Sequence, residues 1–361
     1  MARALELARK GTSLVHPNPR VGAVVVKGGR VIGQGFHVYD RLDHAEIVAL
    51  KQAGHKARGA TLYVNLEPCC HAGRTGPCTK AIIAAGIKNV YAAMNDPNPA
   101  VSGRGIAQLR RAGIQVILGE GENDARMLNE DFAKWIRTRL PFVTLKSALT
   151  LDGKIAERAG SSTRISGAAS REEVQRMRHA ADALLAGIGT VLMDDPRLTD
   201  RTREPRRRKL LRAVVDSQLR LPLQSKLVKS AQDDVLVFTT PAADSRKEKA
   251  LNQAGVEVFR VRANRGRVDL REVVRELGKR QMLSVLLEAG SELNGAALAA
   301  GIVDKVVLFY APQVMGAGGV PFSRISTARL SDAPELANVT LRRYGPDIAV
   351  QGYFHDVYRN Y

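Results

Sequence analysis

Cysteine is scarce in this chain: three among 361 residues, an odd number too small for a disulfide framework. No apolar run approaches the length needed to span a bilayer. The opening segment, Met1 to Ala8, reads as an amphipathic helix. It has neither the apolar core nor the cleavage site of a signal peptide, so a cytoplasmic location is expected. Internal repeats and long low-complexity linkers are missing. So is the glycine fingerprint of a dinucleotide fold; Gly316-Ala317-Gly318-Gly319 is read as a loop. Acidic residues are outnumbered by basic ones, 36 to 55, for a formal net charge of +19. The densest basic run, Arg201 to Lys209, carries no interleaved aromatics and so lacks the stacking platform of single-strand binders.

What is present is enough material for two cores: 45% of residues are hydrophobic, over a length that suits two domains. Helical and strand-like patterns alternate throughout. Val21 to Lys27 and Arg30 to Phe36 predict a hairpin turned at Gly28-Gly29. His44 to Ala53, Cys78 to Ala85, Gly105 to Ala112 and Asn123 to Arg137 have helical spacing. Ala60 to Leu66, Lys88 to Met94 and Ile114 to Leu118 read as strands. Together they make an α/β layer sandwich complete in itself. Leu140-Pro141 is the expected boundary, giving domains of residues 1–140 and 141–361. Beyond it, strands are expected at 142–149, 183–185, 212–216, 234–238, 256–261, 283–288 and 305–310. Helices are expected at 170–180, 270–279 and 293–300.

The three cysteines lie within ten residues of each other, at 69, 70 and 78, which points to metal chemistry. His44-Ala45-Glu46 precedes Glu67-Pro68-Cys69, and Cys78 follows after eight intervening residues. A His-x-Glu and a Pro-Cys with a second Cys are the signature of zinc deaminases. One imidazole and two thiolates leave a fourth tetrahedral position open for water. A carboxylate that is not a ligand must carry the water's proton to the leaving amine, and Glu46 is that candidate. Residues two apart share one pocket only from a helix end, so His44 and Glu46 are placed in a first turn. Cys78 follows Pro77 at another expected helix start, where a thiolate is favoured. Cys70 is read as a spare thiol, and His37, His55 and His71 as ordinary polar residues.

At these residues the chain resembles a known family. The string from Leu66 to Cys78 is similar to that of the riboflavin-biosynthesis deaminases, as are His16-Pro17-Asn18-Pro19-Arg20-Val21-Gly22 and Asn95-Asp96-Pro97-Asn98-Pro99. The resemblance continues through Leu151-Asp152-Gly153-Lys154, Gly189-Thr190-Val191-Leu192, the stretch from Asp194 to Thr199, Val215-Asp216-Ser217 and Glu288-Ala289-Gly290-Ser291. It covers nearly the whole chain. The family departs from this sequence at Cys70, where serine is usual, at Gly76, where proline is usual, and at Arg164, where an aromatic can occur.

The resemblance implies a cytidine-deaminase-like α/β/α sandwich followed by a dihydrofolate-reductase-like α/β domain. It implies two reactions. The first is zinc-dependent hydrolysis of the exocyclic amine of a pyrimidinone carrying ribose 5-phosphate. The second is NADPH-dependent reduction of the ribosyl group to ribityl. It puts NADPH contacts at Ala148, Arg164, Thr190, Asp194 and Ser217, and along Gly290, Ser291, Glu292, Leu293, Asn294, Gly295 and Ala296. The start of a helix there suits a cofactor phosphate. Substrate positions fall at Asn18, Ser162, Arg178, Leu198, Arg201 and Glu288. Arg178 and Arg201 suit the substrate phosphate, and Asn18 suits the base edge. The expected partner is a phosphorylated small molecule, with no nucleic acid or membrane, bound by a homo-oligomer. A nucleic-acid deaminase would have two residues between its cysteines and would leave the second half idle. A purely structural zinc would have four protein ligands.

Overall fold

The computed structural model describes all residues except 159, 162, 326–328, 360 and 361. The chain divides into two compact units, Met1–Thr138 with Pro205–Arg207, and Arg139–Glu204 with the residues from Arg208 onward.

The first unit begins with α1 (Ala2–Arg9), then the hairpin β1 (Gly22–Lys27) and β2 (Arg30–Phe36). Gly28 and Gly29 turn it at φ 54 and 74, the left-handed pair that a tight twisted hairpin requires. Next come α2 (Ala45–Ala53), β3 (Thr61–Val64), α3 (Cys78–Ala84), β4 (Asn89–Ala92), α4 (Arg104–Arg111) and β5 (Gln115–Leu118). The sheet order is β2-β1-β3-β4-β5, antiparallel around β1 and parallel from β3 to β5. Gly33 lets α2 lie directly on β2, since a Cβ there would stand 2.1 Å from the Ala49 carbonyl oxygen. Val25, Leu62, Val64, Ile82, Val90 and Leu109 fill the core between sheet and helices.

The helix expected over Asn123 to Arg137 is two helices, α5 (Glu122–Leu128) and α6 (Glu130–Thr138). Asn129 separates them at φ −119. Its fully buried side chain accepts from the Arg20 N–H at 2.7 Å and donates to the Arg20 carbonyl at 3.0 Å. This side-chain pairing with a distant backbone outcompetes the local helix.

The second unit runs β6 (Phe142–Thr150), β7 (Lys154–Ala156), α7 (Ala168–Ala180), β8 (Ala183–Gly187), α8 (Ile188–Asp194), β9 (Leu211–Val215), α9 (Lys226–Lys229), β10 (Val235–Thr239), α10 (Ser245–Gln253) and β11 (Val256–Arg260). The short pair β12 (Ala263–Asn264) and β13 (Arg267–Val268) precedes α11 (Leu270–Lys279), β14 (Ser284–Leu287), α12 (Ser291–Ala299) and β15 (Lys305–Ala311). The chain ends with β16 (Val320–Pro321), β17 (Ala337–Tyr344) and β18 (Asp347–Tyr353). Nine strands form one sheet, β11-β10-β9-β8-β14-β6-β15-β18-β17, parallel as far as β15 and antiparallel beyond it. Buried Val143, Leu145, Leu185, Phe238, Val273 and Leu287 pack one face, and Leu184, Val214, Leu227 and Val237 the other. The strands beyond β15 and the helices α8 to α10 were not anticipated from sequence.

Among the described residues no helix is long and apolar enough to cross a membrane.

Candidate active sites in the two units

In the first unit, β-to-α transitions deliver the metal-ligand candidates. His44 is the N-cap of α2 and Glu46 lies in its first turn. Cys78 is the first residue of α3, after Pro77. Cys69 follows the loop after β3. The His44 Nδ1 stands 3.2 Å from the Cys78 sulfur and 3.5 Å from the Cys69 sulfur. All three donor atoms lie within 4.8 Å of one another. One nitrogen and two sulfurs in that space match the soft donor set of a catalytic zinc.

Electrostatics in the cluster follow from this crowding. Hydrogen bonding from Cys78, and from His44, pulls the Cys69 thiol down to about 4 against its burial. The Cys69 sulfur and burial push the Cys78 thiol well up. The Cys69 hydrogen bond raises the His44 imidazole. Glu46 is 3% exposed, and burial followed by the Cys69 charge raises its carboxyl above the usual range. A carboxyl that takes up protons readily is what a proton carrier between water and amine needs.

These groups open onto a cavity of about 270 Å³. Asn18, His37, Glu46, Asp96, Arg74 and Trp135 are among its lining residues. His37 and His71, read from sequence as ordinary polar residues, both line it. Cys70 is not among the lining residues, and its thiol is raised by burial.

The far wall is built by Glu67, a residue whose role the sequence did not reveal. Its buried carboxylate accepts the backbone N–H groups of Asp96 at 3.1 Å, Gly103 at 2.8 Å, Gly105 at 2.9 Å and Ile106 at 3.2 Å. This holds the loop that carries Asp96 and Asn98 against the cavity. Asp96 is buried, and desolvation raises its carboxyl to about 7. The loop bearing Asn18 is fixed from behind by Arg20, whose Nη1 and Nη2 donate to the two Asp131 carboxylate oxygens at 2.9 Å. Burial works to raise Asp131, but Arg20 and His16 hold it far below the usual carboxylate range.

Arg74 stacks on the Tyr39 ring at 4.1 Å and donates to the Tyr39 carbonyl at 3.3 Å. Arg207, counted with this unit, covers the same ring at 3.8 Å and pairs with Asp40 at 2.9 Å. One member of the basic run is thus committed to a structural contact.

In the second unit, several of the implied cofactor and substrate residues lie in or just after the parallel strands, and open α/β sheets bind ligands at the C-terminal ends of such strands. Ala148 is in β6, Thr190 and Asp194 are in α8, Ser217 follows β9, and Glu288 follows β14. Gly290 is the N-cap of α12, which contains Ser291, Glu292, Leu293, Asn294, Gly295 and Ala296. The buried Ser291 hydroxyl and the Asn294 side-chain oxygen have no partner among the described residues. A Cβ on Gly290 would meet nothing within 4 Å. An unpaired hydroxyl and open space at a helix N-terminus fit a cofactor phosphate. Ser217 is partly engaged, its hydroxyl accepting from the Val268 N–H at 3.0 Å.

Arg178 donates through Nε and Nη2 to the Glu288 carboxylate at 2.7 and 3.0 Å, and through Nη1 to the Thr199 carbonyl at 3.1 Å. Lys146, which the sequence reading passed over, places its amine 3.5 Å from the same carboxylate. Its signal was a lysine in the middle of a largely buried central strand. Leu198 is 3% exposed at φ 55, a left-handed conformation that costs a branched side chain and clusters at ligand sites. Arg201 and Arg164 are exposed. Arg201 is held by its backbone N–H, which donates to Gln175 at 3.0 Å. Ser162 lies outside the described residues.

Comparison with known proteins accords with both halves. Residues 1–94 match the cytidine and deoxycytidylate deaminase zinc-binding region, and residues 141–350 match the RibD C-terminal domain. The riboflavin biosynthesis protein RibD of Aquifex aeolicus is 40% identical over 350 residues, covering 97% of this chain and 96% of its own. That of Escherichia coli K12 is 40% identical over 362 residues, covering 97% of each. Among solved structures, Acinetobacter baumannii RibD superposes with a TM-score of 0.85 at 35% identity, over 98% of this chain and 97% of its own. A diaminohydroxyphosphoribosylaminopyrimidine deaminase/5-amino-6-(5-phosphoribosylamino)uracil reductase from Thermotoga maritima gives 0.84 at 38% identity, with the same coverage. With an α/β deaminase unit that gathers His44, Cys69 and Cys78 beside Glu46, and a reductase unit on a nine-stranded sheet, the chain belongs to the RibD family of bifunctional riboflavin-biosynthesis deaminase–reductases.

Proposed function

We propose that residues 1–140 remove the exocyclic amine of a 2,5-diamino-6-ribosylamino-4(3H)-pyrimidinone 5′-phosphate. Residues 141–361 then reduce 5-amino-6-(5-phosphoribosylamino)uracil to its ribityl form. The observation that carries the first assignment is the convergence of the His44, Cys69 and Cys78 donors beside a buried carboxyl.

His44, Cys69 and Cys78 would hold zinc, which supplies an acidified water as nucleophile near neutral pH. Glu46 takes the proton from that water and hands it to the departing nitrogen, which leaves as ammonia. Its raised proton affinity suits both halves of the transfer. Asn18, which lines the same cavity, reads an edge of the base. Arg74 contacts no carboxylate among the described residues and offers its charge to the substrate phosphate.

In the second unit, NADPH bound along Ala148, Arg164, Thr190, Asp194, Ser217 and the start of α12 would supply a hydride to the ribosyl carbon. Ser291 and the backbone N–H groups that open α12 receive a phosphate. Glu288, held ionised by Lys146 and Arg178, orients the ribose with Leu198, while the exposed Arg201 guanidinium takes the 5-phosphate. Lys146, beside Glu288, would deliver a proton to the sugar oxygen released when the ring opens.

The exposed Val339 and Leu341 on the edge strand β17 support a homo-oligomer, which sedimentation would test. The three free cysteines support a reducing, cytoplasmic setting. Zinc analysis, with ammonia release and NADPH oxidation assayed on the two pyrimidine phosphates, tests the reading. A chain that binds zinc but releases no ammonia would refute the first assignment.

A further inference from the structure

Asn18 and His37 meet side chain to side chain at the wall of the deaminase cavity. The His37 Nε2 lies 3.0 Å from the Asn18 Nδ2, and its Nδ1 lies 3.0 Å from the Asp43 main-chain oxygen. A carbonyl can only accept, so Nδ1 carries the hydrogen. His37 is 4% exposed, and no described carboxylate bonds to it. The group that faces its Nε2 is an NH2, which can only donate, so Nε2 is the acceptor of that pair. Its Nε2 is then a bare lone pair that requires a donor. Of the two branches of the Asn18 amide, only the NH2 can satisfy it. The oxygen is left on the other branch, where no described group donates to it.

The backbone reinforces this choice. Asn18 stands between Pro17 and Pro19, which fix their own φ and restrict the residue between them. A flip of the amide is the cheap motion left to the side chain, and His37 opposes it.

We infer that His37 is a positioning residue for the deaminase, orienting the Asn18 amide with its oxygen toward the cavity so that this wall accepts a substrate edge bearing a hydrogen-bond donor. The inference rests on the reading that Asn18 contacts the base. An amine or ring N–H pairs with that oxygen. A carbonyl or ring nitrogen lone pair at the same place meets it lone pair to lone pair, and the amide cannot turn to suit it without stranding the His37 Nε2. His37 thus sets selectivity through the amide that it holds.

The test is a double-mutant cycle on the full-length zinc enzyme, with zinc content and deamination kinetics measured for each variant. Asn18→Ala and His37→Phe should each keep zinc. Each should lower kcat/KM roughly ten- to hundredfold, mostly through KM, the size expected for a buried hydrogen bond. The double variant should be no worse than Asn18→Ala alone, because His37 acts only through Asn18. His37→Gln, which restores an acceptor facing Asn18, should recover much of the loss. Additive losses, or a His37→Phe protein that loses its zinc, would overturn the inference while leaving the Asn18 reading intact. An Asn18→Ala enzyme with normal KM and kcat would instead overturn the reading on which it stands.

Discussion

Arg178 grips Glu288 with two hydrogen bonds, and Lys146 approaches the same carboxylate, so one largely buried anion faces two cations. Burial alone would raise the Glu288 carboxyl, but Lys146 and Arg178 hold it at about 2, against 4.5 when isolated. A carboxyl whose folded pKa is depressed stabilises the fold fully above its unfolded pKa. That stabilisation is lost as pH falls toward the folded value. The shift corresponds to roughly 3 kcal/mol. Urea unfolding of the second unit should show Glu288→Gln weaker than the native protein by about this amount at neutral pH. The gap should close between about pH 5 and pH 2. A gap that persists at pH 2 would contradict the pairing.

Cys78→Ser should remove zinc and deamination together, whereas Cys70→Ser should change neither. The Cys78 sulfur is one of the converging donors and is fully buried; Cys70 is absent from the set. Elemental analysis after dialysis reads the difference directly. Zinc lost from the Cys70 variant would mean that the second ligand had been misassigned.

Glu46→Gln should keep both zinc and fold while ammonia release falls by roughly 10²- to 10⁴-fold, since an amide cannot shuttle protons. NADPH oxidation on the deaminated substrate should be unaltered in the same protein. A rate within a few-fold of native would rule out Glu46 as the proton carrier.

Arg201→Ala should raise the reductase KM for the phosphorylated substrate by roughly ten- to hundredfold, the loss of one charged hydrogen bond. Its side chain is exposed and, unlike Arg178, is not tied to Glu288. Deamination should not move. An unchanged reductase KM would assign Arg201 to the solvated surface.

The ligand set was legible because its chemistry is local: His-x-Glu and Pro-Cys each fit within a few residues, and a helix start does the rest. What was not legible depends on distant partners. Glu67 sits inside the recognised string, yet its four N–H donors come from positions 96 to 106. Asn129 looked like one more polar residue in a helix until the Arg20 backbone, 109 residues away, claimed its amide. The parallel strands announced themselves as apolar runs. β17 did not, because it is an edge strand with seven of its eight residues exposed and no buried face to impose alternation.

The sheet orders carry a consequence for biogenesis. In the first unit every strand pairs with one close in sequence, from β1 with β2 to β4 with β5, so its sheet closes over short stretches of chain. In the second unit β6 is made first but lies between β14 and β15, whose residues begin at Ser284 and Lys305. Until those strands leave the ribosome, β6 has two open edges and apolar faces with no partner. Long-range parallel pairing of this kind is slow and exposes aggregation-prone surface. The deaminase sheet can therefore form during synthesis, while the reductase sheet must await nearly the whole chain. Conditions that hinder folding, such as fast expression or heat, should then cost the reductase yield before the deaminase yield.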